Sequence, residues 1–431
     1  MKKLLVIANL HHASPRIPAL TENLVKLGWE ITIITTHLGD NANKNLGLSD
    51  NFKKNIKVVE VEYSGDVLNY LRSFLRKIGF SDNGGYTEQI KEKIGVTKQK
   101  SFIDRLLWLY QEIFAYPDAE RTWEKPVLEF VKHWVAREKF DVILSSSPYP
   151  TSHVIAHQIK SNNSIKWVAD FRDTWTQNPI YPFSKFRLFF EQRLEKRVLR
   201  NVDNIITVSN EYAAVLKSIH KKDVTVIPNG YQGQLITANV LDSKFSFIYT
   251  GVVYLGKQDP VKFLTALSNL LETEALDRDD IIVNFYGRKE NWLKVLIGEL
   301  GLSDIVIQNG LVSREDARKK QKTSQMLLFF NWEDKLNKGI SSLKLYEYLR
   351  TGRPILATGG HNITEDERVL KETNAGMCAV TANEIEKHIL KSYQEFKTTG
   401  RVKYNGDISA LSKHSYMQRA KSLNNIIEEA K

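Results

Sequence analysis

Short apolar runs recur along this chain, and most are separated by stretches whose apolar positions return every three or four residues. Runs of this kind bounded by turn residues predict strands buried on both faces, and helical spacing between them predicts a parallel α/β sheet. The first run, residues 4–8, is followed by a loop, an amphipathic helix over 17–27, a helix stop at Gly28 and a second strand through Ile31, Ile33 and Ile34. Residues 58–61, 142–144, 167–169, 205–208 and 224–227 continue the series, and Ser209 is placed to cap a helix ending near His220. Pro228, Asn229 and Gly230 form a turn. Residues 231–244 are mostly polar with no clear period, and the domain boundary is expected there. The alternation then restarts with strands at 245–249, 281–285, 305–307, 326–330, 355–357 and 375–379, and helices at 261–271 and 314–320. The expected fold class is α/β, with two Rossmann-like parallel-sheet domains over residues 1–240 and 241–410. A last helix within 411–431 has no following strand and is expected to pack back on the first domain.

Residues 66–134 depart from this rhythm. They read as helical and are rich in both aromatic and basic residues, with Val67, Leu68, Leu71, Phe74, Leu75 and Ile78 on one face beside Arg72, Arg76 and Lys77. That is the pattern of an interfacial helix, and equally of a core-facing helix with snorkelling bases. Residues 185–200 form a second basic segment, with six Lys/Arg against Glu191 and Glu195. The 431 residues carry a formal charge of +11, which favours an anionic partner. Cys378 is the single cysteine, so there is no intrachain disulfide and no thiolate zinc site. The apolar start is too short for a signal peptide, and no run of apolar residues is long enough to span a bilayer.

Open parallel sheets bind ligands beyond the carboxyl ends of their strands, and several such ends carry polar residues. The loop after the first strand holds His12 and Arg16 but lacks Gly-x-Gly-x-x-Gly, so a dinucleotide site is not supported. The strand at 167–169 delivers Asp170, Arg172 and Asp173, a candidate site or an ion pair closing the loop. In the second half, glycines at strand ends, Gly251 among them, allow a ligand close to the backbone. Gly339 and the Ser341–Ser342 pair then precede Leu343, Lys344, Leu345, Tyr346, Glu347, Tyr348 and Leu349, which have helical spacing and stop at Gly352 and Pro354. A helix whose free amides face a cleft is an anion site, and Glu347 lies one turn inside it. A surface helix with a solvated Glu has the same pattern.

The segments 170–175, 205–209, 227–230, 249–251, 285–288, 308–312 and 342–354, in that order, make the chain resemble family four of the retaining, nucleotide-sugar-dependent glycosyltransferases over nearly its whole length. The first half resembles bacterial members that build surface polysaccharides. The resemblance implies a GT-B fold, in which the two domains face each other across a cleft and the second holds a nucleotide-diphosphate sugar. By the family's pattern Glu347 binds the ribose, and the amides of Ser341, Ser342 and Leu343 meet the diphosphate, with Lys344, Gly251 and Gly339 on the same donor side. Lys257, with Arg288 as a second cation, would offset charge on the departing diphosphate. Arg16, His12 and Arg172 fall on the acceptor side. Asp173, with Asp170 as second choice, occupies the loop where relatives place a catalytic His or acid. No cofactor or metal is implied. Two departures stand out. Relatives carry a first glutamate eight positions before the second, and here that position is Gly339, which leaves Glu333 or Asp334 to substitute, or the amides alone to hold the sugar. The family's Arg near Gly251 is also missing, since Val252, Val253 and Tyr254 follow.

The expected partners are a nucleotide sugar, a glycan or lipid-linked acceptor and an anionic membrane surface, at the cytoplasmic face of the cell membrane. An inactive paralogue serving as a scaffold is the alternative that Gly339 raises. A sugar-nucleotide epimerase would need no acceptor face, which the basic, aromatic residues 66–134 argue against. Nucleic acid is disfavoured because the bases are not gathered in a recognisable binding module.

Overall fold

The computed structural model describes residues 2–39, 46, 48–65, 102–178, 181–236, 240–333, 339–360 and 364–429. The chain divides into two compact units, Met1–Pro228 with Tyr416–Lys431, and Asn229–Ser415. Each is built on one parallel sheet.

In the first unit the strands are β1 (Lys2–Ile7), β2 (Trp29–Thr35), β3 (Lys57–Glu60), β4 (Val142–Ser146), β5 (Lys166–Phe171), β6 (Asn204–Thr207) and β7 (Val224–Val226). Their order is β3-β2-β1-β4-β5-β6-β7, so chain direction across the sheet reverses between β1 and β4. Leu4 pairs in register with Ile31 of β2 and with Val142 of β4. The central strands read as unbroken apolar runs because helices cover both faces. Leu4 and Val6 enter one core layer while Leu5 and Ile7 enter the other, as the two-residue period of a strand requires.

One layer is completed from the far end of the chain. Leu423 and Ile427 of the helix Tyr416–Glu429 join Leu20 and Leu24 of the helix Arg16–Lys26. Trp29 Nε1 donates to Asn424 Oδ1 at 2.8 Å, and Lys2 pairs with Glu428 at 2.6 Å.

The second unit holds β8 (Phe245–Thr250), β9 (Ile281–Tyr286), β10 (Val306–Gly310), β11 (Met326–Phe330), β12 (Ile355–Thr358) and β13 (Gly376–Ala379), ordered β10-β9-β8-β11-β12-β13. Here the reversal lies between β8 and β11. Among the described helices of this unit that are absent from the periodicity reading are Glu365–Thr373 and Ala382–Thr399. Both begin with a reciprocal capping box, Thr364 with Glu367 and Thr381 with Glu384. Ile385, Ile389, Tyr393 and Phe396 of the longer helix cover Phe245 and its neighbours in the core.

Within residues 66–134, the helices Phe102–Phe114 and Glu124–Glu138 are described. The apolar face expected over residues 67–78 lies outside the described residues, as does Asp334. Among the described residues no helix is long and apolar enough to cross a membrane.

Candidate functional site

In the second unit the reversal of strand order opens a crevice at the carboxyl ends of β8 and β11, the place where such sheets bind ligands. Gly251 follows β8 with φ +132°, and a Cβ there would stand 2.8 Å from Lys344 Nζ. Only glycine lets the loop lie this close to the lysine. Gly287, at the end of β9, is as constrained, since a Cβ would come 2.1 Å from the carbonyl oxygen of Gly251.

Two helices are pinned to this edge. Tyr348, from the helix Leu343–Leu349, accepts from the Thr250 amide at 3.0 Å. Gln321, from the helix Arg314–Thr323, donates to Thr250 Oγ1 at 2.8 Å. Fixed in this way, the first helix presents Lys344 and Glu347. Lys344 Nζ donates to the Tyr249 hydroxyl and lies 3.8 Å from the centre of that ring. Burial pushes its pKa down to about 7, against the opposing pull of Glu347.

Glu347 is half-buried and held by two arginines of the neighbouring helix. Arg314 donates to Glu347 Oε1 through Nε at 3.1 Å and through Nη2, and Arg318 lies 3.7 Å away. Sequence reasoning missed both arginines. The available signal was their four-residue spacing behind the Ser313 cap, which puts them on one helix face.

Gly339 is buried, and the Ser341 hydroxyl is buried with no hydrogen-bond partner among the described residues. Asn229 Nδ2 donates to the Ser341 carbonyl at 3.1 Å. The Ser342 amide is already engaged, donating to Asp366 Oδ1 at 3.3 Å. Burial pushes that acid up to about 8, so it is mostly neutral at physiological pH. On the opposite lip, the Glu333 amide donates to the Lys257 carbonyl at 2.8 Å, and its carboxylate pairs with Lys262 at 2.9 Å. Gly359 leaves room for that carboxylate, because a Cβ there would lie 2.6 Å from Glu333 Oε1. Tyr254 and Trp332 stack with ring centres 5.8 Å apart. Arg288 pairs with Glu290 at 2.6 Å.

The polar residues of the first unit fall into two groups. Arg16 and Asp170 have no accessible surface. Arg16 donates to the two Asp170 oxygens at 3.2 and 3.0 Å and to the carbonyls of Ile227 and Pro228, while Ser146 Oγ donates to the same acid at 2.9 Å. Instead of facing outward, as expected for an acceptor-side arginine and a second catalytic acid, the pair ties β4, β5 and the end of β7 to the helix after β1. The second group lies at the sheet edge. His12 meets Tyr149 edge-on at 4.8 Å, and Arg172 donates to the His12 carbonyl. Desolvation, with the charges of His11 and Arg172, pushes the His12 pKa down to about 4. Asp173 is held by its backbone to Ser147, and burial raises its carboxyl pKa, with Asp170 adding to the shift and Arg172 opposing it. Among the described residues no group of three or more His, Cys, Asp or Glu side chains is placed to hold a metal ion.

Residues 108–232 match the family described as Glycosyltransferase Family 4. That match lies almost wholly within the first unit, whereas the crevice above belongs to the second. No curated protein matches the chain. Solved structures match it end to end at low identity. Sucrose-phosphate synthase from Thermosynechococcus elongatus has a TM-score of 0.60 at 12% identity, covering 100% of this chain and 99% of that one. HepE from Anabaena, in complex with UDP-glucose, has a TM-score of 0.61 at 11% identity with full coverage of both chains. A Listeria monocytogenes protein assigned as a UDP-N-acetylglucosamine 2-epimerase has a TM-score of 0.54 at 11% identity, over 99% and 96% of the two chains. The likeness shows the fold, two parallel-sheet α/β domains of the GT-B type.

Proposed function

We propose that this protein transfers a glycosyl group from a nucleoside-diphosphate sugar to a hydroxyl acceptor, with retention of configuration and without a metal. The observation that carries the reading is Glu347, braced by Arg314 and Arg318 at the switch point of the second sheet, one turn from Lys344 and the Gly251 loop. A carboxylate held in one rotamer is suited to accept hydrogen bonds from the two hydroxyls of a ribose. Lys344, beside a backbone stripped of Cβ atoms, is placed for the diphosphate, and Lys257 is the second cation in the proposal. As the glycosyl bond breaks, negative charge grows on the leaving phosphate, and preorganised cations stabilise it most where water is excluded. The same phosphate oxygen helps to take the acceptor's proton in a retaining course. Glu333 assumes the sugar contact that Gly339 cannot make. In the first unit Asp173 is the proposed acid–base group, because a raised pKa suits a residue that exchanges protons near neutral pH. The match to Glycosyltransferase Family 4 and the fold shared with a UDP-glucose complex support this reading. A surface glycan or glycolipid is the acceptor class that the family resemblance suggests.

The test is thermal unfolding with UDP, GDP and ADP, followed by UDP-glucose. A nucleotide at one hundred times its Kd stabilises the folded protein by about 2.7 kcal/mol, a rise of several degrees. Glu347→Ala is expected to abolish that rise while leaving the unliganded Tm within a few degrees. If no nucleoside diphosphate at millimolar concentration raises the Tm, the donor site is refuted.

A further inference from the structure

We infer that the first unit carries a docking surface for an anionic lipid bilayer, formed where the helices Phe102–Phe114 and Lys185–Val198 meet. The inference stands apart from the donor site and does not depend on it. The helices are joined by Arg187, which is buried and donates to the carbonyls of Gln111, Ala115 and Pro117 at the end of the first helix. Glu112 accepts from both the amide and the hydroxyl of Ser184, the cap of the second helix. Tyr116 OH donates to the Phe190 carbonyl at 3.2 Å.

Large apolar side chains face solvent on both sides of this junction. Phe186 is 75% exposed, with Phe189 and Phe190 beside it, and Leu109, Ile113 and Phe114 are each about half exposed on the first helix. Isolated exposed apolar residues are ordinary, but a cluster of this size and chemistry needs a partner. Within it Phe190 lies 5.0 Å from Phe186 and 5.4 Å from Phe189, so the rings form one aromatic face.

Charge selects the partner. The solvent face of Lys185–Val198 bears Lys185, Arg193, Lys196 and Arg197, with Arg200 just beyond, while its two acids are only 1% exposed. Glu191 is turned inward to Arg187 and Trp175, and Glu195 to Thr176 and His220. Arg193 lies over the Phe189 ring with its carbon 3.4 Å from the ring centre. The exposed helix face is therefore aromatic and cationic, with no exposed acid on it. An apolar face inserted among acyl chains and flanked by bases among headgroups is the physics of an interfacial helix. A protein partner buried on so many uncompensated bases would need a matching acidic face, whereas an anionic bilayer supplies one everywhere.

The experiment is flotation of the full chain with vesicles of phosphatidylcholine alone and of phosphatidylcholine with phosphatidylglycerol. Binding is expected only to the anionic vesicles, with release as salt is raised. The triple variant Phe186→Ser/Phe189→Ser/Phe190→Ser should lose binding and keep the parent's far-ultraviolet dichroism, since the rings it removes are exposed. Arg193→Glu/Arg197→Glu serves as a second variant. Removing each base should lower partitioning about fivefold, and reversing the charge should lower it further. Failure of the parent to float with anionic vesicles would overturn the inference, as would undiminished binding by the folded triple variant. So would a concentration-dependent dimer, abolished by that variant, in a protein that ignores vesicles.

Discussion

Replacing Arg16 by Met tests how the first unit is held together. The guanidinium makes two hydrogen bonds to Asp170 and further ones to Ile227 and Pro228, and the Arg16 and Asp170 side chains have no accessible surface. Met fills much of the volume but leaves the Asp170 carboxylate buried with its Ser146 contact and strips two carbonyls of a donor. Removing one partner of a buried ion pair costs about 3–5 kcal/mol, because the remaining charge has lost its compensation. For a unit of this size each kcal/mol is worth about 2–4 °C in Tm, so a fall of roughly 6–20 °C is expected. Urea unfolding followed by tryptophan emission reports on this unit, which holds six of the eight tryptophans. The double variant Arg16→Met/Asp170→Leu removes both charges and should recover most of the loss, since an apolar substitute for a buried pair is often neutral. A single-variant cost below about 1 kcal/mol, in the range of surface pairs, would refute the reasoning. So would a double variant as unstable as the sum of the two singles.

Three further outcomes concern the second unit. With a pKa near 7, Lys344 is mostly neutral in the free protein at pH 8, and an anion beside Nζ would recharge it. Nucleoside-diphosphate binding at pH 8 should therefore take up close to one proton, and much less below pH 6. Calorimetry in buffers of different ionisation enthalpy reads this, and equal uptake by Lys344→Met would sink the assignment. In the free protein the same shift opposes folding at low pH. Between about 7 and the ordinary 10.5 the unfolded chain holds the proton and the folded chain does not, so the penalty is relieved as pH rises through that window. Gly251→Ala should cost about 1–3 kcal/mol in backbone strain and weaken nucleotide binding by displacing Lys344. Gly256→Ala, in the same loop at φ +67° with no atom within 4 Å of the new Cβ, should leave binding intact.

The strands were legible because parallel sheets bury both faces. Residues 326–330 read as an apolar run and form β11 with the same limits, and Ser209 caps the helix it was expected to cap. The helix Ala382–Thr399 escaped a reading based on apolar period, although Thr381 and Glu384 announce its start by capping chemistry. Site chemistry was legible only where it is local. Glu347 could be placed on a helix from its neighbours, but its bracing arginines lie 33 and 29 positions earlier on a different helix. The acids at 170 and 173 suggested a loop ion pair, yet the partner of Asp170 is 154 positions away. Exposure was illegible as well. Phe186, Phe189 and Phe190 look like core residues in sequence, and only the inward turn of Glu191, Glu195 and Arg187 shows that the helix buries its acids and displays its rings and its other bases.

The return of the last helix to the first unit has a consequence for how the protein is made. Tyr416–Glu429 leaves the ribosome after all 187 residues from Asn229 to Ser415. At about 5–20 residues per second, the rest of the first unit, made up to Pro228, waits roughly 10–40 s before Leu423 and Ile427 begin to cover Leu20 and Leu24. A nascent chain of this design holds an unfinished apolar groove throughout synthesis of its second unit, and it becomes a client for any chaperone that recognises such grooves during that interval.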